Sequence, residues 1–154
     1  MIMAKIPHNL SADHLAKLMT EVSSDLLKTE KSNVTSRWFR AGEDLELFAW
    51  LDQKHKLIRL QVVIFDQVLE WDLISGLRTG FVEETPVHLK LQKPSSLIVY
   101  DKRINQPTVE LVKEIIAASH HMHSDLKKCI LDTVIEPKTI QDISFFEMLK
   151  NLFR

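Results

Sequence analysis

Residues 45–64 constrain the fold more than any other stretch. Leu45, Leu47, Ala49 and Leu51 alternate with Glu46, Phe48, Trp50 and Asp52. Ile58, Leu60, Val62 and Ile64 then alternate with Arg59, Gln61, Val63 and Phe65. A period of two is the signature of a strand with one face buried. Only Asp52-Gln53-Lys54-His55-Lys56 separates the two runs. A connection that short closes a hairpin and cannot make a parallel crossover. The chain must therefore contain an antiparallel sheet.

The flanking sequence extends the pattern. Residues 34–41 predict a strand before the hairpin, joined through Ala41-Gly42-Glu43-Asp44, and residues 68–73 one after it, joined through Asp66-Gln67. Gly76 and Gly80 are expected to bracket a turn over residues 75–79. Residues 87–91 and 97–100 predict two more strands, giving about four to six in residues 34–101. The second face is apolar as well. Phe39, Phe48, Trp50, Val63 and Phe65 point away from the cleanest core face in this register. A sheet apolar on both sides needs a cover on both sides.

Helical spacing marks the two ends. Leu15, Leu18, Met19, Val22 and Leu26 recur at steps of three and four, predicting a helix over residues 11–28 with Ser11 as N-cap. Pro107 opens a second helical part, residues 107–154. No Gly or Pro interrupts residues 108–136. One helix of about 40 Å is possible there at 1.5 Å per residue, and so is a break near Ser119-His120-His121. Thr139 opens a last helix with Ile140, Ile143, Phe145, Phe146, Met148, Leu149, Leu152 and Phe153 around most of its circumference, so it must be buried against this chain or another. The order of helix, meander and helices defines an α+β fold in a single domain.

The 154 residues carry a formal net charge of −1, with 20 Lys and Arg against 21 Asp and Glu. That balance provides no electrostatic footprint for nucleic acid. Cys129 is the only cysteine, which excludes an intramolecular disulfide. No apolar run approaches the roughly 20 residues of a membrane helix, so no membrane insertion is expected. The start carries no signal-peptide pattern, and a cytoplasmic protein is expected.

Three groups of residues suggest chemistry. His121, Asp125 and Cys129 fall at i, i+4 and i+8 on a helix, beside His120 and His123, and could ligate zinc. Arg37 and Arg40 before the meander, with Asp72-Leu73-Ile74-Ser75-Gly76-Leu77-Arg78-Thr79-Gly80 after it, make a second group. This arrangement resembles the cyclic-dinucleotide-binding PilZ domain, which pairs an arginine motif before a β-barrel with a later Asp/Asn-x-Ser-x-x-Gly stretch. The arginines here are three apart rather than four, and the Asp–Ser and Ser–Gly spacings differ. The resemblance implies a ligand held by Arg37, Arg40, Ser75 and Arg78, since guanidinium groups suit phosphates. Third, Glu70 and Asp72 share a strand face about 7 Å apart, where a solvated outer face is the simplest reading.

No P-loop, dinucleotide fingerprint, nucleophile elbow or H-E-x-x-H pattern is present, and neither an enzyme nor a cofactor is expected. The function expected first is a non-enzymatic protein–protein interaction module, an adaptor, chaperone-like protein or regulatory subunit, forming a homodimer. Its partner would meet Phe145, Phe146, Leu149, Leu152, Phe153, Phe48 and Trp50. In outline the architecture is similar to secretion-chaperone-like dimers. A small-ligand or cyclic-dinucleotide sensor is the second expectation and a metal-binding domain the third.

Overall fold

The computed structural model describes residues 11–22, 33–83 and 97–135. Helix α1 (Ala12–Leu18) leads into a seven-stranded antiparallel sheet: β1 (Thr20–Glu21), β2 (Thr35–Ala41), β3 (Leu45–Leu51), β4 (Leu57–Ile64), β5 (Gln67–Asp72), β6 (Gly76–Glu83) and β7 (Leu97–Tyr100). Helices α2 (Gln106–Ala118) and α3 (Ser124–Ile130) follow, the latter continued by a π-helical turn, Leu131–Ile135. The order of the strands across the sheet is their order in the chain. The α+β class and the helices at both ends are as expected, but the sheet has seven strands rather than four to six.

The helices cover one face. Leu15, Ala16 and Met19 of α1 and its C-cap, Val109, Val112, Ile115 and Ile116 of α2, and Leu126 and Ile130 of α3 cluster with Phe39, Leu45, Leu47, Ala49, Leu60, Val62, Ile64 and Leu69. The sheet residues of this cluster all belong to one side of the pleat, as the cross-strand pairs Phe39↔Leu47, Leu47↔Val62 and Val62↔Leu69 require. Phe39 therefore faces the helices, fully buried, and not the second face as its sequence position suggested. Phe65 also packs against the core from the β4–β5 turn, held at a φ of 57° that bulky residues rarely adopt. At the start of β4 the register shifts between Trp50 and Leu51. Leu57 rather than Ile58 pairs with Leu51 and completes the core.

The helix ends explain two further differences. Ser11 caps α1 as expected, its Oγ accepting from the His14 amide at 3.2 Å. The helix stops at Leu18, however, because Thr20 and Glu21 pair with Arg40 and Phe39 on the edge of β2. Between α2 and α3 the chain breaks at residues 119–123. Lys127 Nζ donates to the carbonyls of Ser119 (2.6 Å) and Ala117 (3.3 Å) at the C-terminus of α2, where a cation complements the helix dipole. His123 Nδ1 accepts from the Asp125 amide and caps α3. A side-chain cap on either side makes a break without glycine or proline.

Residues 76–80 are strand, not turn. Gly80 is required because a Cβ there would lie 2.5 Å from the Val99 carbonyl oxygen. Thr79, 2% exposed, fixes the junction to α2: its Oγ1 donates to Asp101 Oδ2 and accepts from the Asn105 amide, both at 2.8 Å. The expected strand at 87–91 and helix from Thr139, with Phe145, Phe146, Leu149, Leu152 and Phe153, lie outside the described residues. Among the described residues no helix is long and apolar enough to cross a membrane.

Gly80→Ala forces β6 and β7 apart at a backbone atom. It should lower stability by about 1–3 kcal/mol, read as a lower urea midpoint at unchanged slope. Phe39→Ala should cost about 3–5 kcal/mol through the cavity it leaves.

Candidate functional site

The opposite face of the sheet carries the candidate site. None of its residues joins the cluster under the helices. Strand alternation places Ser36, Trp38 and Arg40 of β2 here, with Glu46, Phe48 and Trp50 of β3 and Arg59, Gln61 and Val63 of β4. Glu70 and Asp72 of β5, Arg78 of β6, and Ile98 and Tyr100 of β7 continue it.

One half of the face is aromatic. Trp38 and Phe48 are cross-strand partners stacked at 5.5 Å between centroids and 12° between planes, and Phe48 stacks on Trp50 at 6.0 Å. The Arg59 guanidinium lies 4.9 Å from the Trp50 ring centre. Offset stacking and cation–π contact each add to burial and hold the row flat.

The other half is built around Glu70, whose side chain is only 6% exposed. Its carboxylate accepts from Tyr100 Oη (2.7 Å), Gln61 Nε2 (3.2 Å) and Arg78 Nη2 (3.2 Å). Burying a carboxylate is tolerable only with donors and a compensating charge, and Glu70 has both. The Arg78 guanidinium also lies 3.7 Å from Asp72 and 4.5 Å from the Tyr100 ring centre. The phenol's hydrogen bond to Glu70, with burial and the carboxylate's charge, raises the Tyr100 pKa above its ordinary value. Asp72 accepts from the Ser75 and Ile74 amides, and these bonds, with Arg78 nearby, hold its carboxyl below its usual value. The solvated carboxylate face expected from the sequence is thus corrected at Glu70.

Charge on this face is matched locally. Arg40 lies 3.7 Å from Glu46, Arg59 is the cross-strand neighbour of Asp72, and Arg78 holds Glu70. Hydrogen bonding is less complete. Among the described residues, Ser36 Oγ, Trp38 Nε1 and Arg78 Nε are buried without a partner, and all three stand on this face.

The four arginine-motif residues do not converge. Arg37 and Arg40 project from opposite faces of β2, because an odd spacing in a strand does so. Arg37 binds Glu21 through two bonds of 2.6 and 2.8 Å, and Arg40 Nε donates to the Gly42 carbonyl. Arg40 on β2 and Arg78 on β6 are four strand spacings apart, about 19 Å. Ser75 sits in the exposed β5–β6 turn. The second group is dispersed too. His121 lies in the α2–α3 connection, Asp125 is exposed on the first turn of α3, and Cys129 is half-buried. Among the described residues no three His, Cys, Asp or Glu side chains converge on a metal position. Cys129 instead lines a concavity of about 410 Å³ with Leu57, Ile58, Trp71 and Leu73. Phe48 and Trp50 are where the sequence placed them, on the face away from the core. Sequence reasoning missed Tyr100, which reaches Glu70 across 30 residues of chain.

No protein-family model, curated protein or solved structure matches this chain.

Tyr100 is the chain's single tyrosine, so its ionisation can be followed by ultraviolet absorbance. It should titrate above about pH 10, the ordinary value, and return toward it in Glu70→Gln. The raised pKa means that the bond's contribution to stability is full below the unfolded value and lost as pH rises through the folded one.

Proposed function

We propose that this chain is a non-enzymatic protein–protein interaction module, an adaptor, chaperone-like or regulatory subunit, that binds its partner on the sheet face away from the helices. The stacked row Trp38–Phe48–Trp50 carries this reading. Tryptophan and arginine dominate the energetics of protein interfaces, and here Arg59 sits over Trp50 at the end of the row. The stacked rings favour a partner that brings apolar side chains to this face. Local pairing of Arg40 with Glu46 and of Arg78 with Glu70 disfavours a polyanion on the same surface.

A Phe48→Ala, Trp50→Ala double variant tests the reading. The wild-type chain, used as bait in lysate of its native organism, should retain a stoichiometric protein partner. The variant should keep its circular dichroism spectrum and lose that partner by about 30-fold in affinity, the loss of one hot spot. Equal capture by both chains, or none by either, would refute the assignment.

A further inference from the structure

The two edges of the sheet are built differently. β1 is two residues long, and the ion pair Arg37–Glu21 stands beside it. Short, charged edges resist pairing with another chain. β7, Leu97-Ile98-Val99-Tyr100, has no charge, no proline and no bulge. Leu97 (62% exposed), Phe81 (43%) and Tyr100 (42%) leave apolar surface at this edge. Among the described residues no strand pairs with the outer side of β7, and the hydrogen-bond register shows which backbone groups turn that way. The Asp101 amide donates to the Thr79 carbonyl at 2.9 Å, so Thr79 and Asp101 form a hydrogen-bonded pair. By alternation Phe81 and Val99 form the next. Ile98 and Tyr100 therefore turn their N–H and C=O groups away from β6, toward the edge.

We propose that β7 pairs antiparallel with β7 of a second copy of this chain, about a two-fold axis at Val99, joining two sheets into one. A two-fold axis at Val99 sets Ile98 of each copy opposite Tyr100 of the other. Both are then hydrogen-bonded pairs, and every outward amide and carbonyl of the two strands is satisfied. The side chains are self-complementary too. Val99 meets Val99 on one face, with Leu97 and Phe81 beside them, and on the other Ile98 stands opposite the Tyr100 backbone, whose ring leans inward across β6 to Glu70. No like charges oppose across the axis. This match to itself selects a second copy over an unrelated strand. The axis runs perpendicular to the sheet, so the two aromatic faces lie on the same side. Four residues of edge make a small interface, and association depends on concentration. The inference rests on the edge and is independent of the binding-face reading.

Sedimentation equilibrium of the full chain tests it. The wild-type mass should rise with concentration from 17.9 kDa toward twice that value. Val99→Lys and Val99→Glu should each remain monomeric, and an equimolar mixture of the two should recover the dimer. Ile98→Pro removes an outward amide without touching the β6 ladder, and should also give a monomer with an unchanged circular dichroism spectrum. The Phe48→Ala, Trp50→Ala variant should dimerise normally. A wild type that stays monomeric overturns the proposal, as does a dimer that survives the Val99 and Ile98 substitutions. So does a charge-swapped mixture that stays monomeric, or a dimer lost only in the Phe48, Trp50 variant.

Discussion

The antiparallel register is the constraint on which everything else in this protein depends. Side chains alternate strictly along each strand, so one residue of slip would turn Leu45, Leu47, Leu60 and Val62 out of the core and bring Glu46 and Gln61 into it. The described helices cover one side. Once that side is chosen, the positions of Trp38, Phe48, Trp50, Glu70 and Arg78 on the other follow without further choice. The irregularity between Trp50 and Leu51 serves the same end by bringing Leu57 rather than Ile58 into the buried cluster.

Glu70 gives the second face its character. A carboxylate at this position is buried because β4, β6 and β7 each send it a donor: Gln61, Arg78 and Tyr100. The network ties four adjacent strands together across their width. The aromatic row does the same for β2 and β3, with Arg59 extending it to β4. The face is therefore a held surface with its charges already answered, and the donors left over at Trp38 and Arg78 are fixed in place.

Much of the sheet was legible in the sequence, because β3 and most of β4 alternate cleanly and their connecting turn is short. The failures have physical causes. Gly80 looked like punctuation, yet it marks a place where the Val99 backbone comes too close for any side chain. The apolar spacing of α1 runs on through Val22, but edge pairing with β2 outweighs it after Leu18. The break between α2 and α3 carries no glycine or proline, since Lys127 and His123 make it through side-chain caps. The dispersal of Arg37 and Arg40 could have been read directly, because residues three apart in a strand face opposite ways. Tyr100 could not, since nothing local links it to Glu70.

The strand order bears on how the chain reaches this structure. Each strand pairs with its predecessor in the chain. The β3–β4 and β5–β6 turns are each closed by an aspartate, Asp52 and Asp72, accepting from two amides just ahead of it. Hairpins of this kind form from short-range contacts, so the sheet can assemble by stepwise zipping. The docking of α1 on α2 joins segments from opposite ends of the described chain. Closing so long a loop costs more than closing a hairpin, although the cost grows only slowly with length.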